Sequence, residues 1–288
     1  MFSAPKSPYL VPYDGSFKQS EADTSPSKNE TTGKKELKKE LNKCVGQLDE
    51  LQRKLYADDK HSVLLVFQGM DAAGKDGTIR AVLKGINPAG CQVFSFKQPS
   101  SEELDHDFMW RTNRRLPERG RIGVFNRSYY EEVLVVKVHP EYLGGQRLGA
   151  IDPDTIWQQR YQSIRQQEEH LARNGTVILK FWLNVSKEEQ RQRFLKRLNE
   201  PEKNWKFSSG DIKERGHWDD YMQAFETAVS ETSRPWAPWY AIPADNKPYM
   251  RLCVADIIMQ AMQSLNLHYP EIDEKEKQRF DEMREILG

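Results

Sequence analysis

No stretch of this 288-residue chain comes near the ~18 consecutive apolar residues of a membrane span. Its N-terminus also lacks the charged-then-apolar pattern of a secretory leader, so no membrane partner is expected. Cysteine is scarce: Cys44, Cys91 and Cys253 are odd in number, dispersed and without metal-ligand spacing. That excludes a disulfide framework and a zinc cluster, and it suits small thiols in a cytoplasmic protein. The six histidines are equally scattered. Charge of one sign is not in excess either, since 43 Lys and Arg balance 43 Asp and Glu. Without a global field a polyanion has to be met by local clusters, and no nucleic-acid partner is predicted. No serine or cysteine nucleophile signature, zinc-hydrolase motif or internal repeat appears.

What is there begins at residue 63. VLLVFQGMDAAGKDGTIR sets an apolar run before Gly69-Met-Asp-Ala-Ala-Gly74-Lys75, and a helix start after it. This is the G-x-x-x-x-G-K core of a phosphate-binding loop in its required strand–loop–helix setting. Glycines let backbone N–H groups turn inward, so Gly69, Ala72, Ala73, Gly74, Lys75 and Asp76 are the candidate phosphate binders. The loop departs from the usual pattern in one respect: Asp76 replaces the hydroxyl residue that normally follows the lysine, and Asp71 lies inside the loop. Like charges ~4 Å apart cost about 4 kcal/mol at an effective dielectric of 20. A divalent cation between carboxylate and phosphate removes the conflict, which makes Asp71 the stronger metal candidate. Asp76 has two readings, metal ligand or an acidic residue favouring a helix dipole.

Residues 1–35 read as a partly flexible N-terminal extension. Tyr9–Phe17 carries enough apolar surface to dock, whereas 18–35 has the composition of a flexible linker. From Glu36, Leu37, Leu41, Cys44, Leu48, Leu51 and Leu55 recur at three and four residues and predict a helix. Strands are then expected at Val63–Phe67, Gln92–Phe96, Arg121–Phe125, Thr176–Val185 and Trp239–Ile242. Helices are expected between and after them, near 76–86, 102–115, 128–138, 153–174, 186–199, 217–232, 248–266 and 272–286. This alternation predicts one α/β domain over 36–288, built of parallel β-α-β units with ligands at the carboxyl ends of the strands. Residues 200–216 interrupt the pattern with polar sequence, as a surface loop acting as a lid would; with the preceding helix the lid covers about 187–217.

A second constellation, RIGVFNRSYYEE, ends a short strand at Asn126 and Arg127. P-loop enzymes place a metal-associated carboxylate there. Asn126 is an uncharged candidate for that role, and Arg127 can grip phosphate bidentately or simply occupy a surface turn. Two basic clusters flank the loop. Arg111, Arg114, Arg115, Arg119 and Arg121 lie upstream of the Asn126 strand end, and Lys187, Arg191, Arg193, Lys196 and Arg197 lie downstream on a helix that leads into the lid with Lys203 and Lys206. Each residue taken singly can be a solvated face. Together they predict a polyanion track, with Arg114 and Arg115 on phosphate and a lid arginine acting on the transferring group.

GMDAAGKDGTIR, FNRSYYEEVLVVKV, RQRFLKRLNEPEKNWKFSSGDIKER and WAPWYAIPADNK, in that order, resemble the polyphosphate kinase 2 family over about residues 36–268. The resemblance implies a three-layer α/β/α P-loop kinase fold with a central parallel sheet and a helical lid. It also implies reversible, Mg²⁺-dependent phosphoryl transfer between inorganic polyphosphate and nucleotides, and assembly into homodimers or homotetramers. By residue it implies phosphate and metal contacts at Asp71, Lys75 and Arg127, lid arginines at Arg191 and Arg193, and Asn126 where some relatives carry Asp. Two other functions fit the loop alone: an ATP-dependent nucleoside monophosphate kinase, and a P-loop binding module without turnover.

Overall fold

All seven residues of β1 (Ser62–Gln68) are buried, as in a strand covered on both faces. Its Val, Leu and Phe run has no polar side to leave in water. In the computed structural model, which describes residues 2–27 and 33–288, β1 is the centre of a five-stranded sheet ordered β2-β3-β1-β4-β5. The partners are β2 (Cys91–Ser95), β3 (Ile122–Asn126), β4 (Thr176–Asn184) and β5 (Trp239–Pro243), and every pairing is parallel. The fold is α/β, with each expected strand in place. In chain order the helices are α1 (Lys34–Asp58), α2 (Lys75–Val82), α3 (Ser101–Leu104), α4 (Trp110–Asn113), α5 (Val135–Val138), α6 (Ile156–Arg173), α7 (Lys187–Asn199), α8 (Ser209–Gly216), α9 (Trp218–Thr232), α10 (Lys247–Gln263) and α11 (Glu274–Leu287). α1, α2 and α10 pack together against the sheet, and α5, α6 and α9 form a second group. No described helix is long and apolar enough to cross a membrane.

Side-chain capping explains where helices depart from the sequence pattern. The helix expected over 102–115 is two single turns, α3 and α4. Asp107 accepts the backbone N–H of Met109 at 2.9 Å, and this local bond competes with helix continuation. Over 128–138 the chain forms a 3-10 turn, Tyr129–Val133, and then α5, because Ser128 caps Tyr130 N–H. The lid segment 200–216 is not a loop. It holds a 3-10 helix, Pro201–Lys206, and α8, started by a capping box between Ser208 and Asp211.

The N-terminal segment docks. Leu10 forms an antiparallel bridge with Tyr240 at the outer edge of β5, which covers an otherwise open strand edge. Residues 18–27 differ from the linker that their composition predicts, for Gln19 N–H donates to Glu226 and Asp245 N–H to Thr24 O. Residues 28–32 of that expected linker lie outside the described residues.

Candidate active site

The β1–β3 register pairs Phe67 with Asn126, so the two loops that follow these strands open side by side at the carboxyl end of the sheet. The first is the phosphate loop. Gly69 adopts φ +151°, and a Cβ there would sit 2.9 Å from the Leu183 carbonyl oxygen, so only glycine fits. Ala72 (φ 62°) and Gly74 (φ 111°) complete the curl, and α2 begins at Lys75. Lys75 is buried. Its ammonium donates to the carbonyls of Gly69 at 2.5 Å and Met70 at 3.2 Å. Burial, helped by the nearby Arg127 charge, pushes its pKa down to about 8.

At the end of β3 the Asn126 amide nitrogen donates to Asp76 at 2.5 Å and to Ser95 at 3.3 Å. Asn126 therefore presents an N–H donor to the carboxylate and orients Asp76. Arg127 sits at φ 63° and reaches back across the loop, donating to Asp71 at 2.5 Å and to Glu131 at 2.9 Å. Glu131 first, and then Asp71, raise its pKa.

The arginines of α7 divide by face, since residues two apart on a helix point to opposite sides. Arg193 is 6% exposed, and each of its five N–H groups can be matched to a bond. It donates to Glu189 (2.7 Å), Ala72 O (2.9 Å), Ala73 O (2.7 Å), Ala244 O (2.6 Å) and Asp245 O (3.2 Å). It braces the phosphate loop against the turn after β5. Arg191 points outward, paired with Glu188 at 2.7 Å, and does not line the cavity. Arg114 and Arg115 are also outside it, stacked on Trp110 at 4.7 Å and Phe94 at 5.1 Å. The 111–121 cluster therefore stands apart from this cavity, and its arginines make aromatic and loop contacts beside β2 and β3.

A cavity of about 400 Å³ opens over the phosphate loop. Asp71, Lys75, Asp76, Asn126 and Arg127 line its floor; Lys196, Arg197, Lys203, Lys206, Lys247 and Arg251 line its walls. Burial pushes Lys247 down to about 8 and lowers Arg251, beside Arg80 and Arg193. The Arg251 Nε is buried with no bond partner among the described residues. So dense a wall of cations, converging on a buried lysine, has the charge to hold phosphate groups.

The polyphosphate kinase 2 profile matches residues 31–270. The chain belongs to the polyphosphate kinase 2 family. It is an enzyme of phosphoryl transfer. The chain is 58% identical to the ADP-polyphosphate phosphotransferase of Rhodopseudomonas palustris, across 84% of this chain and 85% of that one. It is 43% identical to the AMP/ADP-polyphosphate phosphotransferase of Meiothermus ruber, across 91% and 95%. The crystal structure of polyphosphate kinase 2 from Arthrobacter aurescens TC1 superposes with a TM-score of 0.86 at 36% identity, covering 97% of each chain.

Phosphoryl-transfer enzymes generally work with a divalent cation. In this chain no three His, Cys, Asp or Glu side chains gather into a metal cage among the described residues. Two hard carboxylates, Asp71 and Asp76, instead share the floor of a phosphate cavity. That set fits a cation held by one or two carboxylates together with substrate phosphates. Sequence reasoning named Asp71 and Asn126 for metal and left Asp76 open; it missed Lys247, Arg251, Gln190 and Glu131. Gln190 is 1% exposed and donates to Asp71 O at 2.9 Å, fixing the loop to α7. For Lys247 a signal existed: Asn246, a capping residue, stands three residues past the end of β5, which puts a helix start at the carboxyl edge of the sheet.

Proposed function

We propose that this enzyme holds inorganic polyphosphate along the Lys196–Arg251 side of the cavity and passes a terminal phosphoryl group, reversibly, to a nucleotide bound opposite. The observation that carries the reading is the convergence of wall cations on Lys75 and Arg127, with Asp71 and Asp76 on the same floor. Nucleoside mono- and diphosphates are both acceptors in this reading, supported by the names of the two relatives. Lys75 and Arg127 bind the transferring group and neutralise charge on its oxygens as it moves. Asp71 and Asp76 would hold Mg²⁺, which would supply positive charge to offset the carboxylates and the phosphate oxygens. One P–O bond to the donor chain breaks as a phosphate oxygen of the nucleotide forms the new one, and the shortened chain leaves with the negative charge. The attacking oxygen is already ionised at neutral pH, so no side chain has to remove a proton.

The enzyme is read as cytoplasmic, in keeping with its scattered thiols. Assembly into dimers or tetramers is supported by exposed Phe280, Met283, Ile286 and Leu287 on α11. The test is to incubate the enzyme with polyphosphate, Mg²⁺ and each of AMP, ADP, GMP and GDP, and to resolve the products. Nucleotides one phosphate longer, formed as polyphosphate shortens, are expected. Products formed only with ATP as donor would make it a nucleoside monophosphate kinase, and binding without turnover would make it a binding module.

A further inference from the structure

The family profile begins at residue 31, which leaves the docked N-terminal segment without a role. Its first half explains itself. Val11 N–H donates to Trp239 O and Ala241 N–H to Tyr9 O, each at 2.9 Å, so residues 9–11 close the edge of β5. The Phe17 ring meets Trp182 edge-on at 6.1 Å. Residues 22–25 cover no strand edge, and they lie elsewhere: across the carboxyl ends of β4 and β5, where the phosphate site stands.

Asn184, the last residue of β4 and 1% exposed, donates its side-chain amide to the carbonyls of Ala22 and Asp23, both at 3.1 Å. Asp245 N–H donates to Thr24 O at 2.9 Å, and Ser25 Oγ to the Asp245 carboxylate at 3.2 Å. Further back, the Tyr9 and Tyr249 hydroxyls are bonded at 2.7 Å, tying the segment to the first turn of α10. The turn held this way, Ala244–Asn246, is the one Arg193 grips while its other nitrogens hold Ala72 and Ala73 of the phosphate loop. Lys247 and Arg251 of the cavity wall rise from the same turn. One continuous path of hydrogen bonds therefore runs from residues 22–25 through the β5–α10 turn and Arg193 to the phosphate loop.

We propose that residues 22–25 are a positioning element for the phosphate site, setting the β5–α10 turn so that Lys247, Arg251 and the loop face one polyphosphate chain. The role rests on the phosphate reading of the cavity. An arrangement fixed in advance lowers the ordering cost of binding a flexible polyanion, so its loss should appear in KM before kcat.

The experiment uses the full-length Asn184→Ala variant, which removes both amide bonds to the segment and leaves the edge pairing of residues 9–11 intact. Polyphosphate KM should rise about tenfold, the loss expected for buried hydrogen bonds, while kcat stays within about threefold. Amide hydrogen exchange should quicken at Ala72, Ala73 and residues 245–250 with the melting temperature nearly unchanged. Ser25→Ala, which costs only the hydroxyl bonded to Asp245, should shift KM and exchange the same way by about two- to threefold, and decides the matter if Asn184→Ala does not fold. Wild-type KM and wild-type exchange at Ala72 and Ala73 in a folded variant would overturn the proposal, as would a lowered melting temperature that leaves both unchanged. Should wild type turn over no polyphosphate, the functional reading fails, and the exchange pattern alone still decides whether the segment positions the loop.

Discussion

Among the described residues two lysines are buried, and burial pushes both down to about 8, yet they do opposite things. Lys180, in mid-β4, is wholly enclosed: its ammonium donates to Glu168 at 2.6 Å, to the Tyr130 hydroxyl at 2.9 Å and to Thr232 O at 2.8 Å. All three N–H groups and the charge are committed, and Glu168 in turn accepts from Tyr129 and Tyr130. Lys75 holds only backbone carbonyls, has no carboxylate bonded to its ammonium, and faces a cavity. The difference separates a strut from a working cation. A buried charge whose donors are all answered by protein is locked into the fold with nothing left to offer, whereas one left facing a concave, cationic space can answer a ligand. The same distinction sorts the arginines. Arg193 is a strut for the loop, Arg191 and Arg114 are surface groups, and Arg251, with its orphaned Nε, is available.

Exchanging the consequences of removing each lysine is the strongest way to break this comparison. Lys75→Ala should lower kcat by about 10² or more, with a melting temperature close to wild type, because the lost group stabilises charge during transfer. Lys180→Met should do the reverse. It leaves Glu168 buried without its partner, costing about 3–5 kcal/mol of stability, while turnover per folded molecule stays near wild type. Paired activity and melting measurements check both, and a Lys75→Ala enzyme with normal turnover would take the loop out of the mechanism.

A smaller effect is expected at the carboxylates. Asp71→Asn removes a charge from the floor, so the Mg²⁺ concentration for half-maximal rate should rise about tenfold. A Mg²⁺ titration identical to wild type would make Asp71 only the partner of Arg127. Smaller still is the pH effect. Lys75 and Lys247 carry their protons below about pH 8 and lose them above it. Polyphosphate kcat/KM, which reports the free enzyme, should therefore hold below that value and decline as pH rises through it. A profile flat to pH 9.5 would show that neither charge matters to capture of the donor.

The sheet and the loop were legible in the sequence because their signals are local. An apolar run followed by G-x-x-x-x-G-K needs no knowledge of the rest of the chain, and the strand–helix alternation fixes a parallel sheet. The division of labour among cations was not legible. Arg191 and Arg193 differ only in which side of α7 meets the loop, and the charged sequence of α7 gives a weak apolar stripe to read that from. Lys247 and Arg251 stand some 170 residues from Lys75 and reach it through the β1–β4–β5 pairings and the packing of α10 on α2. The helix break at Asp107 hangs on one Asx bond. The Glu168–Lys180 pair, too, joins α6 to the strand after it inside a core where sequence alone predicts neither charge.

The measurement that bears most directly on the account is the salt dependence of long-polyphosphate KM in two double variants, Lys247→Gln/Arg251→Gln and Arg114→Gln/Arg115→Gln. Each cation that contacts a polyanion releases condensed counterions, so removing two contacts should weaken binding and flatten the slope of log KM against log salt by about two at most. The account predicts that loss in the Lys247/Arg251 variant, together with a KM raised at least about tenfold, and wild-type behaviour in the Arg114/Arg115 variant. The opposite pattern, with the Arg114/Arg115 variant losing affinity and slope while Lys247→Gln/Arg251→Gln keeps both, would contradict it and move the polyphosphate track to the edge of the sheet.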